Sequence, residues 1–160
     1  MPKPLPRSIA RRIIELPPHV RALRENLESI TLADYRDALL NKTSADLNTS
    51  VYPLERPFEI VDNILLELAE EGLAAAEKAT GPDRPSDLRR LRDLHVISAA
   101  RCERLVNAHR ARNDAQHEYI DVDPKIVYEA ASVLSDEALG FLRDYVGWLR
   151  GVGFDLPGET

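Results

Sequence analysis

Ala108-His-Arg-Ala-Arg-Asn-Asp-Ala-Gln-His-Glu-Tyr119 closes a strongly helical run, and its reading decides how the rest of the chain is understood. It holds two of the four histidines, two arginines, an Asn-Asp pair and a tyrosine. No other segment concentrates side chains able to do chemistry near neutral pH. Working back from it, Ser98 is an N-cap candidate, and Ala99, Cys102, Val106, His109, Asn113 and His117 recur at steps of three and four. The stripe is apolar in its first half and polar in its second. A core-facing stripe that turns polar must leave the core or satisfy those groups with partners, which is how a site lined by one helix reads.

The segments around it also read as helices. Ser8 to Leu16 is a short amphipathic helix that Pro17 and Pro18 break, or that gives way there to a new helix carrying Val20, Leu23, Leu27 and Ile30. Thr31 to Asp34 forms a capping box for a third helix through Leu40, and the polar stretch Asn41 to Ser50 reads as a connection. Leu54, Phe58, Val61, Leu65, Leu68, Gly72 and Ala75 predict a long helix from about Leu54 to Ala79, ended by Gly81-Pro82. Pro85-Ser86-Asp87 starts an arginine-rich helix, and His95 sits at a helix junction in a capping role. Asp123-Pro124 is an N-cap and N1 pair for a last helix with Val127, Ala130, Leu134, Ala138, Phe141, Tyr145 and Trp148 on its core face. The pattern predicts an all-α, up-and-down helical bundle, one domain over 1–160 with flexible ends at about 1–6 and 151–160.

Composition narrows the function classes. At 160 residues with 44% hydrophobic and 30% charged side chains, the chain suits a soluble domain with a real core. It shows neither an apolar run long enough to span a bilayer nor a signal peptide, and the single Cys102 fits a reducing cytoplasm. A net charge of −6 argues against a bulk electrostatic nucleic-acid binder. Yet Arg84 to Arg112 holds eight arginines against three acids, a local +5 on a remainder of about −11. A basic stripe on an acidic body suits an anionic ligand met at one place, set against the plainer reading of a solvated helix face.

Arg112 and His117 are the pair to weigh. A guanidinium clamps phosphate through parallel hydrogen bonds, and an imidazole moves protons near neutral pH. Together they suffice for cleavage of RNA by its own 2′-hydroxyl, without a metal or other cofactor. Five residues along an unbroken helix set the two side chains roughly 140° apart. They converge only if the helix ends near Gln116 or if a second copy faces the first, and a symmetric dimer is the favoured arrangement. No His-Glu-x-x-His and no cysteine pair marks a metal site. Cys102 reads as a small core residue, His109 as a support behind the site or a structural histidine, and Glu59, Asp62 and Asn63 as solvated polar groups, set against the reading that they face the motif across the bundle.

Arg112-Asn-Asp-Ala-Gln-His117, extended to Tyr119, resembles the Arg-x4-His-x-Tyr signature of the HEPN superfamily, in the form typical of HepT-like toxins paired with a minimal nucleotidyltransferase (MNT) antitoxin. The resemblance implies a dimeric, metal-independent endoribonuclease that leaves 2′,3′-cyclic phosphate ends, with Arg112 and His117 catalytic and Asn113 helping to set the site. It further implies a cognate nucleotidyltransferase that neutralises the toxin by adding AMP to Tyr119. Many relatives carry apolar residues where this chain has Asp114 and Gln116. The competing readings are a non-catalytic HEPN module that binds or regulates a nucleotidyltransferase, and a plain structural bundle. On the catalytic reading, Arg112→Ala and His117→Ala each abolish cleavage and leave folding intact.

Overall fold

The structure, a computed structural model, describes residues 2–117 and 122–156, with the side chains of Gln116 and His117 outside that description. Its elements in chain order are β1 (Lys3–Pro4), α1 (Arg7–Ser29), α2 (Leu32–Asn41), the single turn α3 (Ser44–Asp46), a π-helical turn (Leu47–Val51), α4 (Tyr52–Ala75), α5 (Arg84–Asp93), α6 (Ala99–His117), α7 (Pro124–Val152) and β2 (Phe154–Asp155). It is an all-α bundle. α1 packs on α4 and α7, α6 packs chiefly on α7, and α5 lies against α4 and α6. No helix among the described residues is long and apolar enough to cross a membrane.

The caps lie where the sequence puts them. Thr31 and Asp34 exchange backbone N–H to side-chain bonds at 3.0 and 3.2 Å, a full capping box. Ser98 Oγ accepts from the Arg101 N–H and Asp123 Oδ1 from the Lys125 N–H. His95 takes the left-handed conformation (φ 63°) just past α5, and the Val96 N–H returns to the Leu91 carbonyl, so its junction role holds.

Three expectations change. α1 runs unbroken through Pro17 and Pro18. Each interior proline costs about 3 kcal/mol, whereas burying Ile9, Leu16, Val20 and Leu23 on one continuous face contributes about 1.5–3 kcal/mol per side chain. Continuity therefore wins. The long helix stops at Ala75 rather than near Ala79, because Glu77 turns left-handed and the Lys78 N–H bonds the Leu73 carbonyl. The polar stretch expected as a connection is also helical, in the turn Ser44–Asp46 and the π-helical turn Leu47–Val51. Lys3–Pro4 pairs in parallel with Phe154–Asp155, and Phe154 and Leu156 are buried, so the tail joins the core beyond Gly151.

α4 carries the central stripe. Leu54, Phe58, Val61, Leu65 and Leu68 are all essentially inaccessible. Gly72 continues it because the Tyr145 ring of α7 lies where a Cβ would stand, and the Tyr145 hydroxyl donates to the Leu68 carbonyl at 2.7 Å. One member of this face is not apolar. Asp62 is 2% exposed and lies four residues from both Phe58 and Leu66.

Candidate functional site

A buried carboxylate needs donors, and Asp62 takes both of its own from α6. Arg112 Nε donates to Asp62 Oδ2 at 2.8 Å, and His109 Nδ1 donates to the same oxygen at 2.8 Å. Arg112 Nη2 donates to Asn63 Oδ1 at 3.0 Å, so two successive α4 residues fix the plane of one guanidinium. Because an ionised carboxylate only accepts, the proton of this bond sits on His109 Nδ1, which orients the ring. The spacing of His109 and Arg112, three residues apart on α6, brings both side chains onto one carboxylate. Arg112 is thus mostly buried, its side chain 11% exposed, yet it borders open space on two sides.

The larger space is an open cleft of about 520 Å³ between α5 and α6. His109, Arg110, Arg112 and Asn113 line it from α6, and Asp83, Arg84 and Arg89 from the start and middle of α5. Asn113 is exposed there, next to Arg112 in the cleft wall. Hydrogen bonds from the Ser86 side chain and backbone hold the Asp83 carboxyl below the usual carboxylate range, so this acid is engaged as the α5 cap. On the other side of Arg112, a small hollow is lined by Glu55, Phe58 and Glu59 of α4 with Ala115 and Val127.

The arginine stripe seen in the sequence therefore divides by task. Arg101 and Arg104 turn to α7, where Glu137 accepts from both, and Arg101 also reaches Asp144. The arginines' hydrogen bonds hold the Glu137 carboxyl below its ordinary value, with burial opposing them. Gly140 permits this, because the Arg101 guanidinium lies where its Cβ would stand. Arg92 pairs with Asp93, and Arg84 reaches Asn63 and Glu67. Arg89 and Arg110 line the cleft beside Arg84 and the Asp62-bound Arg112.

Of the sequence candidates, the structure brings Arg112 and His109 together with Asp62 and Asn63, and sets Asn113 on the cleft wall. Glu59 lines only the small hollow. Cys102 is buried and its thiol is pushed up by that burial, as a core residue's would be. α6 remains helical through His117, but the His117 side chain, and the whole of Tyr119, lie outside the described residues. Asp62 is the residue sequence reasoning valued too little. The signal was present: an acid in step with Phe58 and Leu66 on an otherwise apolar face.

A family model described as ribonuclease HepT-like matches residues 21–144, from the middle of α1 to late in α7. The chain belongs to that family. The match takes in Asp62, Asn63, the arginine cleft and the whole Arg112–Tyr119 stretch, so the HepT-like assignment and the side-chain cluster fall on the same residues. No curated protein and no solved structure matches this HepT-like chain. Family membership supports a ribonuclease activity, and the bundle supplies an arginine on a basic cleft with which such an activity would begin.

Proposed function

We propose that the protein is the toxin component of a toxin–antitoxin pair, of type II or VII, and acts as a metal-independent endoribonuclease. Arg112 and His117 are its catalytic residues, brought together across the cleft of a homodimer. The RNA 2′-oxygen attacks the adjacent phosphorus and gives its proton to one His117. The bond from phosphorus to the 5′-oxygen breaks, and that oxygen takes the proton back from the same imidazolium. The products are a 2′,3′-cyclic phosphate and a 5′-hydroxyl. Arg112 stabilises the charge that builds on the phosphoryl oxygens, a role that rewards a donor already fixed in place. The observation that carries this reading is the clamp on Arg112: Asp62 and Asn63 set its guanidinium at the edge of an arginine-lined cleft. Asn113 and His109 support the site, one from the cleft wall and one through Asp62.

The proposed partner is an MNT-type nucleotidyltransferase that modifies Tyr119. A bulky anion two residues from His117 would fill the cleft and repel RNA phosphates. The proposed setting is the cytoplasm.

The test is cleavage of a mixed RNA in EDTA by wild type and His117→Ala, with the end groups identified. Cutting by the wild type alone, leaving cyclic phosphate, is the expected result. Equal cutting by both proteins removes His117 from the mechanism. If neither cuts, intact mass decides: added AMP on the wild type marks a masked enzyme, while an unmodified mass favours the second reading. That second reading is a non-catalytic module that docks a nucleotidyltransferase. The same clamp gives it some support, since Asp62 already neutralises the charge of Arg112.

A further inference from the structure

The large cleft does not end at Arg110. A second hollow of about 300 Å³ adjoins it farther toward the start of α6, and the two share Arg89, Val106 and Arg110 in their walls. Arg92 joins the second hollow from α5. The result is one groove running along the α5–α6 seam, away from Arg112, with arginines on both banks. Arg89 and Arg110 are the informative pair. The other arginines of α5 and α6 named above each have an acid or amide within hydrogen-bond or ion-pair distance, whereas no such bond is seen for these two among the described residues, Arg89 meeting Asp83 only through space. They face each other from different helices across one space. Of the acids in the walls, Asp83 is committed to its cap, and Glu103 stands in the second hollow alone.

We propose that this groove is a phosphate-binding subsite for single-stranded RNA, in which Arg89 and Arg110 hold the backbone flanking the bond that Arg112 addresses. This rests on the ribonuclease reading above and extends it to how substrate is held. Two guanidiniums without a hydrogen-bonded partner among the described residues, on opposite walls of a groove, offer fork-shaped donors to successive phosphates. Among the described residues, the walls of both hollows contain no phenylalanine, tyrosine or tryptophan, and the one imidazole, His109, is held by Asp62, so the subsite reads backbone charge more than base identity. It also reconciles an acidic protein with an anionic substrate, because attraction is confined to one seam.

The experiment measures binding of a fully 2′-O-methylated 16-nucleotide RNA, which cannot be cut, across a salt series, and cleavage of the unmodified RNA in parallel. The proteins are wild type, Arg89→Gln/Arg110→Gln, and Arg21→Gln/Arg36→Gln, which makes the same charge change at exposed positions on α1 and α2. The groove variant should bind at least about tenfold more weakly and lose roughly 1.4 from the slope of log affinity against log salt, about 0.7 per phosphate contact. Its KM should rise while its kcat at saturating RNA holds, and the control variant should match the wild type. Unchanged affinity and slope in the groove variant, or an equal loss in the control, overturns the subsite and leaves the ribonuclease reading standing. A wild type that binds with the expected arginine dependence but never cuts keeps the subsite and sinks the ribonuclease. A wild type that does not bind the RNA overturns both.

Discussion

Arg112 serves two ends at once, and this changes how its removal should be read. It borders the cleft proposed to hold RNA, but it is also a partner of a carboxylate that is 2% exposed. Truncating one member of a buried charge pair costs about 3–5 kcal/mol, because the other is left without compensation. The sequence alone leads one to expect Arg112→Ala to lose activity and keep its fold. With Asp62 in view, that variant should be destabilised by an amount of this order in urea unfolding. Adding Asp62→Asn to it should return a large part of the loss, since a neutral amide needs no counter-charge, while cleavage stays absent. Asp62→Asn alone should fold, retain an acceptor for Arg112 Nε, and cleave up to about 100-fold more slowly through loosened positioning. A stable Arg112→Ala protein would show that Asp62 does not depend on the arginine. The arginine was legible from its motif, and the histidine at position 109 from the stripe. Asp62 was not ranked with them because the link spans 50 residues of sequence, and only helix packing tells a buried acid from a solvated one.

Among the helices, local rules were readable where local chemistry decides and misleading where burial decides. The Thr31/Asp34 box, the Ser98 cap and the Asp123-Pro124 start are each settled within four residues, and each is found in place. Pro17 and Pro18 give the strongest local stop signal in the chain, yet α1 passes through them because its buried face has more to lose. The cost should still be present. Pro18 and Ile14 are exposed, so Pro18→Ala restores one backbone bond without disturbing the core, and should raise stability by about 1–2 kcal/mol. A denaturant midpoint unchanged or lowered would mean that the ring itself packs usefully. The α6–α7 contact supplies a pH-dependent counterpart. Arg101 and Arg104 keep Glu137 ionised and depress its pKa below the unfolded value of about 4.3. The stability it contributes is therefore fully present above that pH and lost as pH falls through the lower folded value. Melting temperatures between pH 6 and pH 3 should fall more steeply for wild type than for Glu137→Gln, which starts lower at neutral pH. Parallel curves would assign the acid limb to other carboxylates.

At the scale of the molecule, the first and last described segments pair with each other, and an open cleft runs along the α5–α6 seam. The Lys3–Pro4 and Phe154–Asp155 pairing ties first and last segments together, which nothing in the short, proline-rich N-terminus announces. The oligomeric proposal follows from a different feature, the length of α6. Arg112 and His117 were expected to converge within one copy only if the helix ended near Gln116, and α6 is helical through His117. Five residues on a continuous helix separate their directions by roughly 140°, and Arg112 is already turned inward to α4. On the ribonuclease reading proposed above, an arginine from one copy works with a histidine from the other. Two inactive proteins test this directly: Arg112→Gln, which keeps a donor amide beside Asp62, and His117→Ala. Neither should cut as a homodimer. Unfolded and refolded together, they form mixed dimers in about half of cases, each holding one intact cross-copy pair, so cleavage should return to about a quarter of wild type. No recovery, with mixed dimers shown by mass to be present, would place both residues of a working pair on the same copy and require α6 to unwind before His117 in the active state. Recovery would make the protein catalytic only when paired, so that its activity is controlled by its own concentration before any antitoxin acts.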